Sequence, residues 1–142
     1  MSRFASDLTA AFYADTETMR EALRHGQSFN RIHFATGLKF DIFPAAGNRF
    51  AETEIERSKL QDVLLGDGRS ILLPVATAED IMLAKLLWYR AGGEQSERQW
   101  NDLRGIRAVQ GEALDQAYMQ QWARELKVND LLERLLAERE PG

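Results

Sequence analysis

The chain has 142 residues, 44% of them hydrophobic and 28% charged, with a formal net charge of -4. That length carries one compact domain and is short for two, and the acidic balance argues against a surface that coats nucleic acid. No apolar run approaches the ~20 residues of a membrane span, and with no cysteine and only His25 and His33, disulfides and a structural zinc site drop out.

The opening "MSRFASDLTAAF" lacks the charged start and apolar core of a secretory leader, which points to a cytoplasmic location. Residues 3–13 and 16–25 read as short helices, the second capped by Asp15 and closed near Gly26. "FNRIHFATGLKFDIFPA" then alternates about Thr36-Gly37, the pattern of a hairpin with a two-residue loop. That loop would set Ile32 opposite Asp41 and Phe34 opposite Lys39, leaving a carboxylate among Ile32, Phe34 and Phe43. An acid in that company is solvated, paired or placed for chemistry.

Residues 48–58 read as a polar helix, and "LQDVLLGDGRSILLPVA" as a second hairpin about Gly66-Asp67-Gly68. The "GDG" lacks the Lys and Ser/Thr of a phosphate loop and reads as a turn. Beyond Pro74 the chain reads as four helices. Thr77 caps the first, over 77–91, with acids in its opening turn, and Gly92-Gly93 ends it; Ser96 and Gln99 form a capping-box pattern for the next. A third helix over about 112–125 carries Leu114, Ala117, Tyr118 and Trp122 on one stripe, and a fourth over about 130–138 carries Leu131, Leu132, Leu135 and Leu136. "REPG" reads as a frayed tail. The class is α+β, with a small sheet built from the hairpin at 30–43, extended by strands near 60–65 and 70–75 and followed by a helical region.

Within "IMLAKLLWY" the one charge is Lys85, whose helical neighbours Ile81, Met82, Trp88 and Tyr89 are mainly apolar. Either its stem lies on core surface while the ammonium reaches water, or it pairs with an acid, Asp41 and Asp102 being the candidates. Arg98 and Asp102, four apart on the next helix, are placed for a local pair. His33 in the first hairpin strand reads as structural, and Trp88, Trp100 and Trp122 read as core.

The ordered segments "SFNRIHFATGLKFDIFPA", "LLPVATAEDIMLAKLLWYRAGGEQSERQWNDLRGI" and "LDQAYMQQWARELKVNDLLERLL" resemble small bacterial proteins of the nucleotidyltransferase fold, the polymerase-beta-like superfamily. The resemblance runs from about Phe12 to about Glu138 and is strongest in "EDIMLAKLLWYR" and "SERQWNDL". It implies that Asp41 is the relic third carboxylate of a metal site, holding Mg²⁺ if the protein is active, and that Lys85, Arg98 and Asp102 line the substrate cleft. The sequence departs from the family in having no Gly-Ser dipeptide and no Asp-x-Asp, the elements that hold the triphosphate and two metal-binding acids. In relatives these would precede the segment beginning at Met1. Two-metal phosphoryl transfer needs several converging oxygen ligands, which one aspartate does not provide.

Three functions follow as expectations. The first is a nucleotidyltransferase-like protein, inactive or very weak as this chain alone, that binds a nucleotide or a protein partner. The second is a Mg²⁺-dependent nucleotidyltransferase whose missing part lies upstream or on another chain. The third is a dimeric interaction protein or antitoxin-like scaffold. A homodimer is expected because a missing strand would leave a sheet edge unpaired.

Overall fold

The computed structural model describes residues 12–13, 16–33, 37 and 39–138, with the side chains of 12, 13, 16, 31 and 33 left aside. The fold is α+β, and the chain divides into two compact units, one ending at Glu52 and one beginning at Thr53.

In the first unit, β1 (Phe12–Tyr13), β2 (Phe29–His33) and β3 (Lys39–Ile42) form an antiparallel sheet in the order β1-β2-β3. Between the first two strands lies α1 (Thr16–Arg24), which buries Met19 and Ala22 three residues apart on one face. It stops at Gly26, whose φ of 62° lets Gln27 N–H reach Ala22 O at 2.8 Å and so satisfies a terminal carbonyl. The expected helix over 3–13 meets a strand at Phe12–Tyr13; its remainder, the Asp15 cap and the tail after Glu138 lie outside the described residues, as do Phe34–Thr36.

The hairpin register differs from the expected one. Asn30 lies opposite Asp41 and Ile32 opposite Lys39, a two-residue slip from the register of a Thr36-Gly37 loop. A slip of two keeps every side chain on its face but changes its neighbours across the sheet. The sheet is also extended by β1, not by the later hairpin. The strands β4 (Lys59–Leu64) and β5 (Ser70–Val75) pair with each other in a separate two-stranded ribbon.

Helix α2 (Arg49–Arg57) leads into that ribbon, and the second unit continues through α3 (Ala78–Ala91), α4 (Glu97–Gln110), α5 (Gln116–Glu125) and α6 (Asn129–Ala137). Thr77 caps α3 by accepting from Asp80 N–H, and Ser96 caps α4 by accepting from Gln99 N–H. The third expected helix starts late. A 3₁₀ turn over Gly111–Ala113 precedes it, and Asp115 caps α5 by accepting from Tyr118 N–H at 3.0 Å.

The core of this unit is assembled at helical spacing from Met82, Leu83 and Leu86 of α3, Leu103 of α4, Met119 and Ala123 of α5, and Leu131, Leu132 and Leu135 of α6. On α5 the buried stripe is Met119, Trp122 and Ala123 rather than one through Ala117 and Tyr118. Ala117 is exposed and Tyr118 partly buried. Trp100 and Trp122 are core as expected, whereas Trp88 is 48% exposed. Among the described residues no helix is long and apolar enough to cross a membrane.

Candidate functional site

Asp41 sits on a solvated strand. Its side chain is 53% exposed and lies 3.3 Å from Lys39 Nζ, two residues back on the same face of β3. Ile32 and Phe43 stay on its face, but its directly opposite neighbour is Asn30 rather than Ile32. Among the described residues no three His, Asp or Glu side chains converge as a metal-ligand set, so the donors around Asp41 do not fit Mg²⁺.

Two of the predicted site residues, Lys85 and Asp102, pair in the second unit, whereas the local Arg98–Asp102 ion pair does not form. Lys85 Nζ donates to Asp102 Oδ2 at 2.9 Å, joining α3 to α4. The Lys85 hydrogen bond and charge hold the Asp102 carboxyl below its ordinary value, and the charge of Arg98 adds to this. Of the two partners considered for Lys85, the structure supplies Asp102, while Asp41 takes Lys39. Lys85 remains 23% exposed and Asp102 48%, so the pair is half-solvated.

A second polar cluster lies one turn earlier on α3. Asp80 is the one fully buried charged side chain among the described residues, at 0% exposure. Its Oδ2 accepts from Arg57 Nε at 3.1 Å and Thr77 Oγ1 at 2.9 Å, and its Oδ1 accepts from the Tyr118 hydroxyl at 2.5 Å. The Arg57 guanidinium also lies 3.7 Å from the centroid of the Tyr118 ring. One carboxylate thus ties α2, the start of α3 and α5 together. Burial raises the Tyr118 phenol above its usual value, and the bond to Asp80 and its negative charge add to the rise. Glu54 is raised as well, first by burial and then by the charge of Asp80.

Beside this cluster opens a cleft of about 660 Å³, lined by Arg57, Lys59 and Gln61 on one side and by Thr77, Glu79 and Asp115 on another. Burial pushes the Glu79 carboxyl up, but the bond it accepts from Asp115 N–H at 2.9 Å, those from its own N–H and Thr77, and the charge of Arg57 together leave it below its ordinary value. Farther along the bundle Glu138 accepts from Arg104 Nε at 2.6 Å and Trp100 Nε1 at 2.9 Å. The Arg104 bond is the main reason its pKa falls to about 2.

Asp80, Arg57 and Tyr118 were not among the sequence candidates. The Thr77-x-x-Asp80 spacing does carry a signal, since an acid three residues after a Thr cap is placed to interact with it. Here the Thr77 hydroxyl donates a hydrogen bond to the carboxylate while the hydroxyl oxygen accepts from Asp80 N–H at 3.3 Å.

No protein-family model matches the chain, and no curated protein or solved structure matches it either.

Proposed function

We propose that this chain is a nucleotidyltransferase-like protein that does not itself transfer nucleotides and that works by binding another polypeptide. The observation that carries the reading is the outer face of the β4–β5 ribbon, where Leu60, Leu64 and Leu72 are 67%, 75% and 61% exposed. Their register places them together, because Asp62 lies opposite Leu72 and Leu60 opposite Pro74. Single exposed leucines are ordinary, but three grouped on one strand face around Asp62 point to a contact surface. The absence of Gly-Ser and Asp-x-Asp from the sequence supports the non-transferring half of the proposal.

A photo-activatable residue in place of Leu72 should give adducts of defined mass in producing cells. The same group in place of Glu133, an exposed position on α6, serves as the control. Indistinguishable patterns from the two positions would sink the binding reading. Transfer of label from nucleoside triphosphates and Mg²⁺ that is lost in Asp41→Asn would sink the non-transferring half.

A second reading is favoured by the Lys85–Asp102 pair on an accessible surface, where the charge of Arg98 also acts on the same carboxylate. This cluster would hold a nucleotide phosphate, with Asp102 releasing Lys85 to it. Nucleoside triphosphate binding weakened by Lys85→Ala and Arg98→Ala, but unaffected by Leu72→Thr, would favour this reading over the first.

A further inference from the structure

The two edges of the β4–β5 ribbon differ, and the hydrogen-bond phase shows how. Leu65 N–H donates to Arg69 O at 2.6 Å, which makes 65 and 69 a bonded pair. In an antiparallel ladder bonded and non-bonded pairs alternate, so Val63–Ile71, Gln61–Leu73 and Lys59–Val75 are bonded too. Pro74 agrees independently: it has no N–H, and it falls at a non-bonded position opposite Leu60. The main-chain groups of the even-numbered residues therefore point outward. On β5 that edge is interrupted at Pro74, the position where a proline is tolerated in a sheet. On β4 it is a full row, the N–H and C=O of Leu60, Asp62 and Leu64, with no partner among the described residues.

We propose that the free edge of β4 accepts an extended polypeptide strand carrying a cationic side chain opposite Asp62, flanked by apolar side chains opposite Leu60 and Leu64. This rests on the reading above that the ribbon is the contact surface, and it names the partner's chemistry. Main-chain bonds to an edge supply affinity in such an arrangement, and alternate side chains supply choice. Asp62 is exposed and has no cation within pairing distance among the described residues, so the centre of the face is an unmatched negative charge between leucines. A directly opposite cation complements it.

A second copy of this chain fits less well. Paired antiparallel about Asp62, it would match Leu60 to Leu64 but set two Asp62 carboxylates directly opposite, a destabilising arrangement. Slipped by two residues so that the pairing is centred on Gln61, it would set each Asp62 against Leu60.

The probe is a fluorescein-labelled peptide of seven residues, with valine second and sixth, lysine fourth and threonine elsewhere, titrated by anisotropy into the full chain. Replacing its lysine with glutamate should weaken binding by about fivefold, the upper range for a cross-strand charge pair. Asp62→Lys should invert that preference. N-methylation at the second, fourth and sixth residues, whose amides face β4 in this register, should abolish binding, whereas N-methylation at the third and fifth should not. Failure of the lysine peptide to bind saturably at millimolar concentration overturns the inference, as does indifference to the position of N-methylation. If the Leu72 adducts persist and are lost in Leu60→Thr/Leu64→Thr while the peptide fails, the contact surface stands and edge pairing falls. Loss of both removes the reading and the inference together. Micromolar self-association that Asp62→Asn strengthens assigns the edge to a second copy and likewise overturns the inference.

Discussion

Helix α3 carries two charged sites about one turn and a half apart, and they are built on opposite terms. At Asp80 a fully buried carboxylate has a partner for each oxygen, from three separate elements. At Lys85 a long side chain lays its methylenes over apolar neighbours and reaches a half-solvated Asp102. A buried charge is tolerable only when its geometry is complete, and removing one partner strands the others. A partly solvated pair gains little and loses little, because water replaces either partner. Burial therefore decides which site holds the fold together, and distance alone would not have distinguished them.

The largest effect should come from Asp80→Ala. It leaves the Arg57 guanidinium, the Thr77 hydroxyl and the Tyr118 phenol without their shared acceptor, a loss on the order of 3 kcal/mol or more. Urea unfolding followed by circular dichroism measures it, with retained helicity showing that the variant folds. Asp80→Asn should fall between wild type and Asp80→Ala, since one amide oxygen cannot accept from donors on both sides. If Asp80→Ala proves no more harmful than Lys85→Ala, the contrast between the two sites is wrong.

Next comes Tyr118→Phe, which removes one donor from a buried acceptor at a cost of about 1–2 kcal/mol. The same contact has a pH signature. An unfolded tyrosine ionises near 10, while the folded Tyr118 phenol holds its proton to higher pH. Its contribution is thus fully present below pH 10 and is lost as the pH rises through the folded value. Ultraviolet titration of the native protein should show a tyrosine that ionises late, absent in Tyr118→Phe, and wild type should lose stability above pH 10 more steeply than the variant. A titration in which every tyrosine ionises together near 10 would remove Asp80 as an effective acceptor.

The two sites were not equally legible in the sequence. Lys85 stands out because its contrast is local: one charge within an apolar helical run. Asp80 looks like any acid in a first helical turn, because what buries it comes from Arg57 and Tyr118, 23 and 38 residues away in the chain. The same divide runs through the fold. The caps at Thr77 and Ser96 and the ribbon turn were readable, being matters of a few adjacent residues. The register at Asp41 was not, since alternation fixes which face a residue occupies but not its partner across the sheet. The stripe on α5 was displaced for a similar reason, since which of several apolar residues on a helix are buried is decided by what packs against it and not by spacing alone.

The smallest effect should be at Lys85, and its smallness is the sharper half of the contrast. Lys85→Met keeps the stem that covers core surface and removes only the ammonium, so at pH 7 the denaturation midpoint should stay within error of wild type or rise slightly. The difference should appear in acid. Because Lys85 holds the Asp102 carboxyl below its ordinary value of 3.8, that carboxylate contributes stability above about pH 4 and loses it as the pH falls through its folded value. Wild type should therefore lose stability more steeply than Lys85→Met below pH 4, so that the variant is the more stable of the two at the most acid end. Added salt should shrink the difference, as it does for accessible charges. A large loss at neutral pH that salt leaves untouched would mean Lys85 is held as Asp80 is, by partners it cannot lose, and α3 would then carry two structural charges instead of one.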